Sequence, residues 1–308
     1  MIRPECVNFF CIGAQKAGTT TLHNILIQHP EIYLPPKKEA HFFDINERYE
    51  RGLDYYFSNF FNTYNGEKIV GNINPNLEID NRSLDRIIHS FGKNVKIIFI
   101  MRDPVNRAYS HYLMTHRRGY EKLSFLEALD QEPNRLENPK FYKNYRTNEI
   151  GHYEKNNFGY IHRSQYLKKI EYLHQILPKK NIKLIVFENF ISEKKKYTNE
   201  ILDFIEVENY HSIDYDIKSN SASKPKSEHI RDVIYNPGTV LKFIGSFFNN
   251  EQKNYIKSKL LELNSINIDN SENKLDNQTR QFVYKKYFQE EVIKLESLLG
   301  ISLGQWKH

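Results

Sequence analysis

The stretch VNFFCIGAQKAGTTTLHNIL, residues 7–26, decides the fold because it joins an apolar run to a helical pattern through a loop with two glycines. Residues 7–12 predict a buried strand, since a short apolar run ends there at a turn signal. Residues 19–28 predict a helix that ends before Pro30, because proline disfavours helical backbone in the residue before it. Backbone N–H groups and the helix dipole would converge on the loop between them, so this loop is expected to bind an anion.

The rest of the chain repeats this alternation of short apolar runs and amphipathic stretches, which is typical of an α/β domain. The run VKIIFIM, residues 95–101, is apolar on both faces and predicts a central strand. We expect a single domain, residues 1–308, with a P-loop-like three-layer fold in which helices flank a central, mostly parallel sheet. Further strands are predicted at 32–34, 68–75 and 182–187, and helices at 82–91, 106–116, 164–177, 198–205 and 280–299.

Two polar features lie between these elements. Ser124 and Glu127 have the spacing of a capping box at the start of a helix. Residues 131–157 are polar, rich in asparagine and without periodicity, which predicts a mobile surface segment.

Composition limits the classes of function. The 44 Lys and Arg against 38 Asp and Glu give 44 − 38 = +6, which suits anionic small molecules and falls short of a nucleic-acid signature. Cys6 and Cys11 alone cannot form a disulfide framework or a four-ligand zinc site. The chain has no run of about 18 apolar residues and no signal peptide at its start, so we expect a cytoplasmic protein without an integral membrane segment.

The loop GAQKAGTT, residues 13–20, has the GxxxxG spacing of a nucleotide-binding P-loop, but its lysine is displaced. Lys16 lies inside the loop, and Thr19 follows Gly18 where the P-loop requires lysine. A lysine at this position would lie beside the first phosphate bound by the loop. A P-loop kinase or nucleotidase using ATP and magnesium is therefore an alternative that the sequence does not favour; a nucleotide-binding module without catalysis and a simple solvated turn are two others.

The second motif, IIFIMRDPVNRAYSHY, residues 97–112, predicts a phosphate site. Arg102 leaves the strand at the sheet edge where α/β proteins bind ligands. Ser110 lies eight residues on, about two helical turns. A guanidinium fork and a hydroxyl can meet at one phosphate, whereas a surface Arg–Asp pair at a helix start is the alternative.

The third motif is KKEAHFFD, residues 37–44. Alternation along an extended segment would place Glu39 and His41 on the same side, which proton transfer needs. The alternative is a solvated loop in which Phe42 and Phe43 enter the core.

Together with LLGISLGQW, residues 298–306, these motifs resemble the PAPS-dependent sulfotransferases, in particular bacterial relatives of the heparan sulfate 3-O- and N-sulfotransferases. The resemblance implies that the glycine loop binds the 5′-phosphosulfate of PAPS and that the RDPxxRxxS element binds its 3′-phosphate. It implies that Glu39 is the catalytic base, with His41 beside it, and that 131–157 and 229–277 are lineage-specific segments. The implied donor-binding residues are Gly13, Ala14, Gln15, Lys16, Ala17, Gly18, Thr19, Thr20, Arg102 and Ser110.

Sulfuryl transfer moves a singly charged group, so we expect no metal requirement. Lys16 is expected to stabilise the charge that develops on the bridging oxygen as PAP leaves. Glu39 is expected to take the acceptor proton, helped if burial raises its pKa toward neutrality. Asp44 is expected to order the cleft through hydrogen bonds.

The acceptor is predicted less sharply. In the segment GNINP, residues 71–75, the chain lacks the lysine that vertebrate glycosaminoglycan enzymes carry there, which argues against a heparan-type acceptor. Asn74 could still bind a sugar hydroxyl, so a hydroxyl or amine of a glycan is expected, with a small alcohol or a lipid headgroup as the alternative. In SKPK, Lys224 and Lys226 resemble a late basic loop that closes over the donor, although solvated lysines explain them equally well.

Overall fold

The computed structural model describes residues 5–142, 145–217, 223–235, 238, 247–267 and 274–307. Its centre is a five-stranded sheet in the order β2-β3-β1-β4-β5, and every neighbouring pair is parallel. The parallel α/β fold predicted from the sequence is confirmed. The VKIIFIM strand lies inside the sheet, but the middle position belongs to β1. The strands are β1 (Phe9–Gly13), β2 (Ile32–Tyr33), β3 (Ile69–Ile73), β4 (Lys96–Met101) and β5 (Ile182–Val186).

Helices surround this sheet, and a separate antiparallel pair, β6 (Ser223–Pro225) and β7 (Ser265–Asn267), lies late in the chain. The first helices are α1 (Thr19–Leu26), α2 (Asn46–Tyr49), α3 (Gly52–Phe60), α4 (Asn81–Phe91), α5 (Pro104–Arg117), α6 (Phe125–Glu137) and α7 (His152–Phe158). The others are α8 (Leu167–Ile176), α9 (Phe187–Ser192), α10 (Lys194–Phe204), α11 (Glu228–Tyr235), α12 (Asn250–Leu263), α13 (Asn277–Val283) and α14 (Gln289–Leu299).

Residues 131–157, for which the sequence predicts a mobile surface segment, contain helical structure in the described part, which omits 143–144, and their mobility stays a prediction. Helix α6 extends into this segment and α7 lies within it. The Glu132 carboxylate is buried and accepts hydrogen bonds from the backbone N–H groups of Ile161 at 2.6 Å and His162 at 2.7 Å. Some polar side chains of the segment, such as Glu132, are thus buried, so burial here does not follow an apolar period in the sequence.

The predicted last helix, 280–299, is divided. Helix α13 ends at Val283, a wider helical turn covers Tyr284–Phe288, and α14 continues to Leu299. Gly300 ends it with a φ of 64°, a left-handed conformation that glycine adopts without strain.

Candidate active site

The loop 13–20 lies at the carboxyl end of β1, and steric constraints require glycine at two of its positions. A Cβ on Gly13 would lie 2.5 Å from Oε2 of Glu78. Gly18 has a φ of 82°, and a Cβ there would lie 2.8 Å from the Phe187 ring. Only glycine fits both positions, so the path of the loop is fixed from both sides.

A buried ion pair supports the loop from behind. Nη2 of Arg163 lies 2.9 Å from Oε1 of Glu78. The same Glu78 oxygen accepts the backbone N–H of Gln15 at 3.0 Å, and Nη1 of Arg163 donates to the Gln15 side-chain oxygen at 3.0 Å. Sequence reasoning missed this pair, because Glu78 and Arg163 lie 63 and 148 residues from Gln15 and belong to short 3-10 turns without a motif.

Lys16 is half-buried in this loop, and its ammonium makes no hydrogen bond or ion pair with another residue in the described ranges. Burial, and then the positive charges of Arg117, Arg102 and Arg118, lower the pKa of Lys16 to about 8. A cation held among cations in a partly buried loop favours the binding of an anion.

Arg102 follows β4 and is bonded to the loop. Its Nη1 donates to the backbone carbonyl of Lys16 at 2.8 Å, and its guanidinium lies 4.9 Å from the Phe187 ring centroid. Ser110, two turns into α5, is half-buried, and its hydroxyl makes no hydrogen bond with another residue of the described part. The structure thus joins Arg102 to the loop, while the shared phosphate of Arg102 and Ser110 stays a prediction.

The start of α5 is held by the C-terminal tail. Asp103 caps the helix by accepting the N–H groups of Val105 and Asn106, and it pairs with Arg280. Burial raises the pKa of Asp103 to about 6 in spite of that pairing. Trp306 donates from its indole to Glu188 at 3.0 Å, and Glu188 in turn accepts the Asp103 N–H at 3.0 Å. The LLGISLGQW tail therefore positions the RDP element.

The segment 37–44 brings Glu39 and His41 together, but through a turn. Phe42 and Phe43 are buried, with ring centroids 4.8 Å apart in an edge-to-face contact, and they anchor the segment. His41 has a φ of 50°, and its Nε2 lies 3.4 Å from Oε2 of Glu39. A left-handed residue, and not an extended alternation, places the two side chains on one side.

Asp44 orders the imidazole, as expected. Its Oδ2 lies 2.8 Å from Nδ1 of His41, and its Oδ1 accepts the Asn74 amide N–H at 3.1 Å. The side-chain oxygen of Asn74 accepts the backbone N–H of Asn76 at 3.0 Å, and Asn74 is buried. Asn74 is buried and supports Asp44, and its expected role as a sugar ligand stays a prediction.

The expectation that burial raises the pKa of Glu39 toward neutrality is wrong. Burial does oppose its ionisation, but the hydrogen bond with His41 and the charges of Lys38 and Arg146 outweigh it and lower the pKa of Glu39 to about 2. Burial likewise favours neutral His41, but its hydrogen bonds with Asp44 and Glu39 outweigh that effect and raise its pKa. Of the two, His41 is the stronger base and Glu39 is the more fully ionised.

A cleft of about 530 Å³ opens beside this pair. Lys38 donates to the hydroxyls of Thr20 at 3.0 Å and Thr19 at 3.3 Å, and its Nζ lies 3.6 Å from Glu39, so it links the donor loop to the candidate base. The sequence did not indicate Lys38 as a site residue, although its position next to Glu39 was a signal. It did not indicate Arg146 either, because Arg146 lies in the segment 131–157, which has no motif. The cleft is lined by Thr20, Lys37, Lys38, Glu39, His41, Arg48 and Arg146.

The late basic loop SKPK, residues 223–226, is described only in part. The backbone of Lys224 lies in β6, but its side chain lies outside the described residues. Lys226 is exposed, and its backbone N–H donates to the Asn264 carbonyl at 2.7 Å. No contact within the described part joins Lys226 to the loop 13–20, so both lysines stay predicted donor ligands.

A glycine loop that carries a lysine ammonium at the carboxyl edge of a parallel sheet, next to a carboxylate–imidazole pair, fits an α/β group-transfer enzyme. The chain belongs to the sulfotransferase domain family, whose sequence model matches residues 8–262. The family predicted from the motifs is thereby confirmed.

Individual relatives agree with this assignment. A membrane-associated sulfotransferase (kil1) of Dictyostelium discoideum is 23% identical over 295 residues, covering 74% of this chain and 62% of the relative. Heparan sulfate glucosamine 3-O-sulfotransferase 5 of Mus musculus is 31% identical over 139 residues, covering 44% of this chain and 39% of the relative. The chain thus spans less than two thirds of the length of these curated relatives.

The fold also matches a solved structure. The crystal structure of a sulfotransferase from Alicyclobacillus acidocaldarius superposes with a TM-score of 0.62 at 22% identity, covering 99% of this chain and all of that one. Among the helices in the described ranges, none has the length and apolar character that crossing a bilayer demands. The cytoplasmic location stays a prediction.

Proposed function

We propose that this protein transfers the sulfuryl group of PAPS to a hydroxyl or amine of an acceptor, foremost a glycan. The observation that carries the proposal is Lys16, a half-buried ammonium among arginines, which has no anionic partner among the described residues. It lies where a 5′-phosphosulfate would meet the loop, whereas Thr19 stands where a nucleoside-triphosphate P-loop has its lysine.

The donor would bind along the carboxyl edge of β1 and β4. Backbone N–H groups of the loop 13–20 would bind the 5′-phosphosulfate, and Arg102 with Ser110 would bind the 3′-phosphate. Lys224 and Lys226 would close over the nucleotide from the late loop. The proposal includes no metal requirement.

In the reaction, an acceptor oxygen or nitrogen attacks sulfur in line, and the bond from sulfur to the bridging phosphate oxygen breaks. The electron pair of that bond stays with PAP, where the Lys16 ammonium stabilises it. The acceptor proton passes to Glu39, with His41 as the competing base. Asp44 holds the imidazole in place through Nδ1, so that Nε2 faces the cleft side.

The glycan acceptor is supported by the relatives that carry heparan sulfate in their names and by the cations of the cleft, Lys37, Lys38, Arg48 and Arg146. Asn72, in the segment where vertebrate enzymes place a lysine, is buried and donates to the Tyr56 hydroxyl at 2.9 Å. Negative groups of the acceptor would therefore bind to cations on the 37–44 side of the cleft. The protein would thus bind its acceptor through different residues from those that bind heparan sulfate in the vertebrate enzymes.

Thermal unfolding with PAP, PAPS or ATP, each with magnesium and with EDTA, tests the donor. A ligand at 100 times its Kd adds about 2.7 kcal/mol to the free energy of unfolding. We expect PAP and PAPS to stabilise the protein equally with magnesium and with EDTA. Stabilisation by ATP with magnesium alone would contradict the proposal.

Transfer itself is tested by incubating the protein with ³⁵S-labelled PAPS and fractionated acceptor extracts. Label is expected in a glycan fraction, and it should be lost with Lys16→Ala but not with Lys93→Ala, which removes an exposed lysine before β4, at the opposite edge of the sheet. Label in a lipid fraction would keep the chemistry and reject the glycan. PAP binding without transfer to any fraction would reduce the protein to a nucleotide-binding module.

A further inference from the structure

Residues 145–149 form a strap beside the acceptor cleft, and side chains of α2 and α4 hold it through hydrogen bonds. Glu47, on α2, accepts the Thr147 hydroxyl at 2.8 Å and the Asn148 backbone N–H at 2.7 Å. Nη2 of Arg82, at the start of α4, donates to both carboxylate oxygens of Glu149, at 2.6 and 2.8 Å. These contacts fix the course of the strap from Thr147 to Glu149.

Arg146 directly precedes these fixed residues, and its side chain extends to the candidate base His41. Arg146 is an exposed residue, yet its Nη1 lies 2.7 Å from Nε2 and 3.3 Å from Nδ1 of His41. An ionised Asp44 can only accept hydrogen bonds, so Nδ1 of His41 carries the proton and donates to Oδ2 of Asp44 at 2.8 Å. A guanidinium can only donate, so Nε2 must present its lone pair to Arg146. Arg146 therefore covers the one imidazole atom that could take a proton from an acceptor.

Glu39 makes the opposite demand on the same atom. Its Oε2 lies 3.4 Å from Nε2, and a carboxylate favours an N–H there. The positive charge of Arg146 also lowers the pKa of both Glu39 and His41. With Arg146 in place, either candidate base is weaker than it would be alone.

The other charged groups around His41 do not replace Arg146 in this role. Lys38 lies on the Glu39 side, at 3.6 Å from that carboxylate, and Arg48 lines the cleft from α2. On the α7 side, Nε2 of His152 lies 4.0 Å from Oδ2 of Asp44. His152 therefore reaches His41 only through Asp44. Among the described contacts, Arg146 is the charged residue from outside the segment 37–44 that touches the His41 ring directly.

We propose that Arg146 is an acceptor-sensing positioning residue: it covers Nε2 of His41 until an anionic group on the acceptor draws its guanidinium away and frees the Glu39–His41 pair. The acceptor then carries an oxyanion, such as a carboxylate, next to the hydroxyl that is sulfated. Lys37, Lys38 and Arg48 line the same cleft and would receive that group together with Arg146. The inference rests on the proposed function for the identity of the reaction, but not for the contact that it assigns.

The contact is tested by ring-nitrogen NMR of the full-length protein, with the His41 signals identified by their loss in His41→Gln. We expect the His41 titration midpoint to be higher by about one pH unit in Arg146→Ala, because a cation beside the ring disfavours its protonation. Lys93→Ala, which removes the same charge at the opposite edge of the sheet, should leave it unchanged. An unchanged midpoint in Arg146→Ala overturns the proposal.

The sensing step is tested with glucuronate and glucose, which differ by a carboxylate in place of a hydroxymethyl group. Glucuronate, and not glucose, should shift the Nε2 signal of His41 in the wild-type protein, and neither sugar should do so in Arg146→Ala. Equal shifts with both sugars, or no shift with glucuronate, overturn the anion requirement.

These outcomes are separable from failure of the proposed function. The NMR readouts need neither PAPS nor turnover, so they stand even if no sulfate is transferred. If transfer occurs and Arg146→Ala sulfates neutral and acidic acceptors in the wild-type ratio, the sensing role fails while the sulfotransferase stands. We expect instead that the preference of Arg146→Ala for the acidic acceptor over the neutral one is at least about tenfold lower than that of the wild type, because a charge-assisted contact is lost.

Discussion

Nη1 of Arg102 lies 2.8 Å from the backbone carbonyl oxygen of Lys16, so the end of β4 is bonded to the residue that carries the loop ammonium. Arg102 therefore holds the loop in addition to any phosphate that it binds. Ser110 has no such second contact in the described part of the chain. The sequence motif presents the two residues as a pair, but removing Arg102 also disturbs the loop, whereas removing the Ser110 hydroxyl affects only the predicted phosphate contact.

Ser110→Ala is expected to weaken PAP about 10- to 100-fold and to leave AMP, which lacks the 3′-phosphate, unchanged, since one hydroxyl hydrogen bond to a charged group is lost. Arg102→Ala should weaken both nucleotides, PAP more than AMP, because the loop loosens as well. Isothermal titration of both ligands measures the ratio. If Ser110→Ala weakens PAP and AMP alike, the 3′-phosphate lies elsewhere.

Lys16→Ala is expected to lower turnover far more than it weakens PAP. The ammonium is most valuable when charge develops on the bridging oxygen, and an interaction made mainly in the transition state lowers kcat. Steady-state kinetics with PAPS, compared with the Kd of PAP, check this. Equal losses in the two quantities would make Lys16 a binding residue only.

The pKa of Lys16, lowered to about 8, also predicts a pH dependence. The Lys16 amine must be protonated to stabilise the charge that develops on the bridging oxygen, so kcat/KM for PAPS should fall as pH rises above about 8. For folding the sign is opposite: the unfolded chain holds the proton up to its ordinary pKa of 10.5, so the free energy of unfolding should rise between about pH 8 and 10.5. Lys16→Met should remove that rise, as urea denaturation across this range can show.

Much of the donor side could be predicted from the sequence because its signals are local. The strand, the glycine loop and the helix follow one another within residues 7–26, so periodicity and the two glycines suffice. Glu78 and Arg163 could not be found in this way, because their value lies in a contact with Gln15 across the fold. A buried ion pair has no period and no motif in the chain.

This ion pair predicts a stability effect. Arg163→Met should lower the free energy of unfolding by about 3 to 5 kcal/mol, since it leaves the Glu78 carboxylate buried without its partner. The double variant Glu78→Leu/Arg163→Met should recover most of that loss, because two apolar side chains replace both charges. Urea denaturation of the wild type, both single variants and the double variant gives the coupling. A double variant no more stable than Arg163→Met would contradict the assignment.

The acceptor side was predicted less completely for a physical reason. Sequence spacing could indicate that Glu39 and His41 share a side, but not that His41 adopts a left-handed φ of 50° or that Arg146 returns from a distant segment. The sign of the Glu39 pKa shift depends on these neighbours, and burial alone predicted the wrong direction. Burial can be inferred from a sequence pattern, whereas the charges that surround a buried group cannot.

Glu39→Gln is expected to lower kcat by about 10²- to 10⁴-fold and to leave PAPS binding intact, because the amide keeps the size of the side chain but cannot take a proton. His41→Ala should cost less if Glu39 is the base. The pH profile separates the two: a base with a pKa of about 2 is ionised at every working pH, whereas His41, whose pKa is raised above 6.5, loses its basic form as pH falls through neutrality.

We therefore expect the kcat of the wild type to stay level on the acid side of neutrality, and the kcat of His41→Ala to follow the same course at a lower level. Rates of single turnover with saturating PAPS, measured for the wild type and both variants across this range, provide the comparison. A fall in wild-type kcat near neutrality, together with a nearly active Glu39→Gln and an inactive His41→Ala, would transfer the role of base to His41. Asp44, bonded to Nδ1 at 2.8 Å, would then be the group that maintains its basicity, and Asp44→Asn should reproduce much of the His41→Ala loss.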